Sequence, residues 1–226
     1  MRTYMGVDIP DTFEERADPD RCAVVIVDMQ NDFAHPDGLC GRFFDVEGFR
    51  RCIEPLQTLS ASARRARVPV VYIQQVQRPD GSYASPVFLA DNLRIQAATG
   101  AAFEPVQCME GTWGAEILDE LKPEPGDLVV PKLRRSGFGR TPLAHLMRMR
   151  GRTTAVVGGI AANGCVEATV RDAIEQDFFV IVPSDGIGDS SVQRMEVAAG
   201  VFNRLLQPGD FVDTATLAAY WDGAPA

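Results

Sequence analysis

Five short stretches of the chain are apolar almost without interruption, at 22–27, 69–73, 127–130, 153–157 and 178–182. A strand with one wet face alternates apolar and polar residues, whereas unbroken runs of this length mark strands covered on both faces, as in parallel sheets. Between the runs, segments 48–67, 141–150, 165–176 and 190–206 carry apolar residues at helical spacing, Leu143, Leu146 and Met147 among them. Strand and helix patterns in alternation predict β-α-β units with crossover helices. The fold class expected is therefore α/β, a single-domain doubly wound parallel sheet of Rossmann-like type with flanking helices. The domain runs over 21–226 and follows an N-terminal extension over 1–20. Segment 78–111 keeps no steady period, being interrupted by Pro79, Gly81, Pro86, Gly100 and Pro105, and reads as an irregular excursion walling a pocket.

Composition narrows the classes. With 226 residues, 46% of them hydrophobic, the chain is long enough for one full core and short for two. A net charge of -9 argues against a nucleic-acid partner, which calls for a clustered basic face. Five cysteines form an odd set, widely spaced and without a C-x-x-C pair, which fits a reducing compartment and a cytoplasmic protein. Residues 1–21 lack the apolar core of a signal peptide, and no apolar run reaches the roughly 18 residues of a membrane span, so no membrane partner is expected.

In an open parallel sheet, ligands bind beyond the carboxyl ends of the strands, where strand order reverses. Three reactive side chains leave predicted strands at that edge: Asp28 after the first, Lys132 after the third, and Cys165 on the turn after the fourth. A thiol at the start of a helix meets the positive end of the helix dipole, which favours the nucleophilic thiolate. A lone Cys is also a common core residue. The base for such a nucleophile could be His35 or a carboxylate; His145 falls within a predicted helix, away from the strand ends. Asp28 is the stronger candidate, because burial raises a carboxyl pKa toward that of the thiol it must deprotonate. Lys132 would hold Asp28 and support the thiolate; the alternative is an Asp28–Lys132 ion pair that only fastens two strands. Amide hydrogens at Cys165 and in the turn Gly159 to Gly164 could face a developing oxyanion. Together these residues point to acyl transfer from a small carbonyl compound to Cys165, followed by hydrolysis.

The same residues carry a resemblance. Val-Asp-Met-Gln-Asn-Asp-Phe at 27–33, Lys132 with Ser136-Gly137-Phe138 and Thr141-Pro142-Leu143, and Gly159-Ile160-Ala161 with Cys165-Val166-Glu167-Ala168-Thr169 and Arg171-Asp172-Ala173 resemble the isochorismatase-like cysteine hydrolases. The resemblance spans about 21–189. It implies a catalytic triad of Asp28, Lys132 and Cys165, a cis peptide between Ile160 and Ala161, and an oxyanion hole formed by the backbone N–H groups of Ala161 and Cys165. True isochorismatases of this fold lack the nucleophilic cysteine, so Cys165 argues for C–N cleavage. Nicotinamidases carry an Asp/His metal cluster after the second strand; here Gln74-Gln75-Val76-Gln77-Arg78 has no histidine, so no metal and no cofactor is expected.

Two branches are similar in particular: the ureidoacrylate amidohydrolases around 126–138 and the N-carbamoylsarcosine amidohydrolases around 163–189. The second carries an arginine after its Ile-Gly-Asp run where this chain has Ser190, leaving Arg134, Arg135 or Arg140 to grip a substrate carboxylate, if there is one. Phe33, Arg135 and Phe138 are the expected substrate-binding residues, with Trp113 a weaker candidate. The activity expected is metal-independent hydrolysis of a small amide or ureido substrate with release of ammonia. Its rivals are hydrolysis of a larger amide or lactam and a catalytically silent binding or assembly relative. The apolar positions of 197–206 offer a face for a homo-oligomer.

Overall fold

The computed structural model describes residues 1–100 and 107–223. It opens with a hairpin, β1 (Arg2–Tyr4) and β2 (Val7–Ile9), whose turn places Met5 and Gly6 at positive φ. A short helix, α1 (Phe13–Arg16), starts at a capping box in which the Thr12 hydroxyl accepts from the Glu15 amide and the Glu15 carboxylate caps the Thr12 amide. Next come β3 (Cys22–Val27), short helices α2 (Asn31–Ala34) and α3 (Glu47–Arg50), the long helix α4 (Ile53–Arg65) and β4 (Val70–Gln75). Helix α5 (Pro86–Thr99) precedes β5 (Leu128–Lys132), α6 (Leu143–Met149) and β6 (Thr154–Gly159). The chain closes with α7 (Glu167–Glu175), β7 (Phe179–Pro183), α8 (Val192–Leu205), β8 (Phe211–Val212) and α9 (Thr214–Gly223).

Six parallel strands form the main sheet in the order β5-β4-β3-β6-β7-β8. The chain steps outward from β3 to β5, then returns to the centre and steps the other way from β6 to β8. Strand order therefore reverses between β3 and β6. Cys22, Val24 and Ile26 of β3 pack in one hydrophobic cluster with α4 and α9, while Ala23, Val25 and Val27 pack in the other with α6, α7 and α8. Both faces are dry, which is why every residue of β3 and β6 is buried and why their sequence runs are continuously apolar. Pro131 sits in β5, an edge strand, where a missing N–H costs no ladder bond.

The doubly wound α/β fold is as expected, with several additions, the short helices α1 and α2 and the C-terminal helix α9 among them. The hairpin over 2–9 and the two-residue β8 were not foreseen, and part of the irregular excursion over 78–111 is the helix α5; residues 101–106 of that segment lie outside the described residues. The expected extension over 1–20 is divided in character. Its hairpin is exposed, whereas Ala17 lies in the core and the buried Arg16 guanidinium forks onto Asp210, Nε to Oδ2 at 2.8 Å and Nη2 to Oδ1 at 2.8 Å. Trp221 of α9 adds a second tie, its Nε1 donating to the Ala17 carbonyl at 2.8 Å. Trp221→Phe leaves that buried carbonyl without a donor and is expected to cost about 1–3 kcal/mol of stability, read as a lowered urea midpoint; an unmoved midpoint would show that this tie contributes nothing. Among the described residues no helix is long and apolar enough to cross a membrane.

Candidate active site

Asp28 and Cys165 follow β3 and β6, the two strands between which the sheet reverses, and Lys132 is the last residue of β5. The sheet thus gathers all three at its carboxyl edge, in the crevice where such folds bind ligands. Asp28 takes a positive φ of 54°, its amide donating to the Ile73 carbonyl at 2.9 Å, so the chain turns sharply off β3. Lys132 Nζ lies 2.7 Å from Asp28 Oδ2, and both side chains are almost wholly buried. The ammonium also donates to Gln75 Oε1 at 2.9 Å and to the Arg134 carbonyl at 3.0 Å. Gln75 is fixed in turn by Gln30, whose Oε1 accepts from the Gln75 amide at 2.7 Å and whose Nε2 donates to the Gln75 carbonyl at 2.9 Å. Sequence reasoning missed both glutamines; the signal for Gln75 was its place at the end of the second strand, beside the end of the third.

Charge in this crevice is governed by burial. Burial pushes the Asp28 carboxyl above its ordinary range, against the downward pull of the Lys132 ammonium. For Lys132, burial works against the charge, but Asp28 and the Cys165 thiol outweigh it and hold the pKa above the usual lysine value. Burial pushes the Cys165 thiol up to about 12, with Lys132 pulling it down and Asp28 pushing it further up. Burial thus opposes the pull of the helix dipole on this thiol, which favours its keeping the proton until Asp28 removes it. Besides the Lys132 ammonium, the Cys165 thiol lies within hydrogen-bonding reach of the Asp28 carboxylate, which is therefore placed to take its proton.

The turn that carries the thiol is built tightly. Gly159 pairs with Val27 at a φ of 108°, and a Cβ there would overlap the Val27 carbonyl oxygen, so only glycine lets β6 end this close to β3. The peptide bond between Ile160 and Ala161 is cis. Residues Ala162–Val166 then wind as a wide turn with non-helical torsions at Asn163 and Gly164 before α7 begins. Buried Asp189 pins this turn, its Oδ2 accepting from the Asn163 amide at 2.8 Å and its Oδ1 from the Ser190 amide at 2.7 Å. The Ala161 amide donates no hydrogen bond among the described residues.

A cavity of about 190 Å³ lies over these groups, with Asp28, Ala161 and Cys165 at one end. It opens into a groove of about 1020 Å³ bounded by α5 and by Arg135, Arg171 and Asp172. Phe33 lines both spaces. Arg135 reaches only the outer groove, where it is ion-paired with Asp91. Phe138, expected to bind substrate, packs against Phe178 in the core cluster of α6, α7 and α8, with ring centroids 5.3 Å apart. It lines neither space, because the turn after Ser136 carries it down onto the sheet face and not toward the crevice. His35 and Trp113 stack edge-on at 4.9 Å outside the cavity, and His35 Nδ1 accepts from the Asp37 amide at 3.1 Å. Arg134 is spent on structure: it donates to the Tyr83 carbonyl at 2.9 Å and to Ser85 Oγ at 3.2 Å, and lies over the Phe88 ring. Arg140 is exposed and lines neither space. Among the described residues no three His, Cys, Asp or Glu side chains converge as metal ligands would.

Comparison with known proteins returns a consistent set. The family model described as the Isochorismatase domain matches residues 22–211. The ureidoacrylate amidohydrolase RutB of Methylobacterium radiotolerans is 36% identical over 200 residues, covering 86% of this chain and 78% of that one. A cysteine hydrolase from Pseudomonas syringae superposes with a TM-score of 0.78 at 27% identity, covering 92% of this chain and 95% of the other. An N-carbamoylsarcosine amidase from Thermoplasma acidophilum superposes with a TM-score of 0.64 at 28% identity, covering 81% and 91%.

Proposed function

The chain belongs to the isochorismatase domain family, and from that membership we propose that it is a cysteine-dependent amidohydrolase that cleaves a C–N bond of a small amide or ureido compound and releases ammonia. The observation that carries this reading is the buried Asp28–Lys132 pair beside the Cys165 thiol, at the end of a cavity open to ligand. The named activities of RutB and of the carbamoylsarcosine amidase, both hydrolysis at a carbon–nitrogen bond, support it.

The chemistry follows from the geometry. Asp28 takes the Cys165 proton as the sulfur attacks the substrate carbonyl carbon, so the thiolate forms only as it is used. The Lys132 ammonium offsets the negative charge passing between the two. As the carbonyl becomes tetrahedral, its oxygen takes the electron pair and is met by the backbone N–H groups of Ala161 and Cys165. Collapse of the intermediate expels the nitrogen, which receives the proton held by Asp28 and leaves as ammonia. Water then attacks the thioester, Asp28 accepts its proton, and the free acid and the thiol are restored. No step calls on a metal or cofactor. The remaining features of the chain fit a soluble cytoplasmic enzyme that associates with copies of itself, Val197 leaving an apolar side chain exposed on α8.

The test is ammonia release from ureidoacrylate, N-carbamoyl amino acids and simple amides by the purified protein. Turnover that ceases when Cys165 is alkylated supports the proposal, and ammonia release that survives complete alkylation would overturn it. The pH profile gives a second check. Asp28 acts as its carboxylate, and burial raises its pKa, so kcat/KM is expected to fall on the acid side as pH drops through a value above the ordinary carboxylate range. An acid limb at the pKa of an exposed aspartate would remove Asp28 as the base.

A further inference from the structure

The cavity over Cys165 is apolar to a degree that bears on what can enter it. Phe33, Phe44, Phe49 and Ile160 supply much of its wall, and beyond Asp28 and the thiols of Cys40 and Cys165 the polar side chains among its described lining residues are Asn92 and Gln107. Gln107 is engaged, its Nε2 lying 3.0 Å from Cys40 Sγ. Among the described residues no lysine or arginine lines the cavity. Lys132 lies just beneath, but its ammonium is shared among Asp28, Gln75 and the Arg134 carbonyl.

The cations of the outer groove are committed as well. Arg134 holds the start of α5, Arg94 and Arg135 both pair with Asp91, and Arg171 pairs with Glu167 at 2.9 Å. The segments outside the described residues add nothing, since 101–106 reads Ala-Ala-Phe-Glu-Pro-Val and 224–226 reads Ala-Pro-Ala, without lysine or arginine. A substrate carboxylate in the inner cavity would thus be desolvated among phenylalanines near the negative charge of Asp28, in a chain of net charge -9, with no cation on that wall among the described residues to meet it.

We infer that the site selects an uncharged amide or urea with an apolar body and discriminates against carboxylated ureido compounds, including ureidoacrylate. The inference rests on the amidohydrolase reading for the chemistry and on the cavity wall for the selectivity. The carbonyl end would lie against Cys165 and the Ala161 amide, and the apolar end would fill the space between Phe33, Phe44 and Phe49.

Two measurements test it. The first compares kcat/KM for pairs that differ in one carboxylate: butyramide with succinamate, and ethylurea with N-carbamoylglycine. The neutral member is expected to lead by about tenfold or more, as burial of an unpaired charge demands. In Asn92→Arg, which sets a guanidinium on the cavity wall from a helix without buried residues, the gap should close or invert. Succinamate turned over better than butyramide, with that preference lost in Arg135→Met, would overturn the inference and give the carboxylate to Arg135.

The second measurement needs no turnover. Rates of Cys165 alkylation by iodoacetamide and iodoacetate, each divided by its rate with free cysteine, should favour the neutral reagent by about tenfold or more, on the same desolvation argument. Equal ratios would refute the selectivity. A clear preference for iodoacetamide, together with silence across all amides and ureas, would overturn the amidohydrolase reading while upholding the cavity's preference for neutral ligands.

Discussion

Cys165→Ala is expected to remove ammonia release almost completely, lowering kcat by about a thousandfold or more while leaving the urea midpoint close to that of the parent chain. The alanine cannot form the thioester, and what remains is the weak assistance of Asp28, Lys132 and the Ala161 amide to direct attack by water. Cys165→Ser should be nearly as inactive. A hydroxyl is a weaker acid than the thiol, which burial has already pushed up to about 12, so Asp28 faces a harder proton transfer. Steady-state ammonia assays of both variants on one identified substrate decide the matter. Retention of more than a small fraction of kcat in Cys165→Ala would remove the covalent mechanism.

Lys132→Met should do two kinds of damage. It strands the Asp28 carboxylate in a buried site without its cation, and breaking such a pair from one side costs about 3–5 kcal/mol. It also takes away the charge that steadies the proton transfer, so activity should fall with stability. The stability loss should depend on pH with a definite sign. In the variant, Asp28 loses the Lys132 ammonium, the charge that pulls its pKa down, so its folded-state pKa rises further above the unfolded value. A raised carboxyl favours folding below the unfolded pKa and loses that advantage as pH climbs through the folded one. The gap between variant and parent should thus be widest near neutrality and narrow in acid. Pairing it with Asp28→Asn removes the stranded charge and should recover part of the stability with none of the activity. Urea midpoints at several pH values would show this; a deficit below about 1 kcal/mol at neutral pH would mean the pair contributes little to the fold.

Much of this site could be read before the structure, because its residues sit where the pattern of the chain changes. Asp28, Lys132 and Cys165 each follow an apolar run, and a parallel sheet brings the ends of such runs to one edge. Phe33 came into view through the same motif as Asp28 and does line the cavity. Phe138 misled because an aromatic six residues after Lys132 can point either way from a turn, and nothing local records which sheet face the turn descends to.

Helix α5 was missed although its caps are written in the chain: Ser85 accepts from the Phe88 amide, Pro86 opens the helix, and Gly100 ends it at a φ of 70°. Apolar periodicity is the main helical signal a sequence carries, and α5 has none to show. None of its described side chains is buried, Val87 being 80% exposed. The hairpin over 2–9 is equally exposed, and β8 is two residues long, so neither prints a period. Gln30 and Gln75 act through reciprocal bonds across two strand ends, a relation that exists only once the register is set. The charge state of the thiol is legible only in part for a related reason: the dipole of α7 is local and visible in sequence, while the desolvation that opposes it comes from the assembled cavity.

The reversal of strand order has one more consequence. The carboxylate, the ammonium and the thiol arrive on the first, third and fourth strands of the main sheet, and the contact between the first and fourth joins segments far apart along the chain. No hairpin, fragment or half of the chain holds more than part of the machinery, and pairings this distant form late and slowly. Turnover is therefore a reporter of the fully assembled sheet: during refolding, activity should return with the last cooperative phase, after helical signal has already recovered.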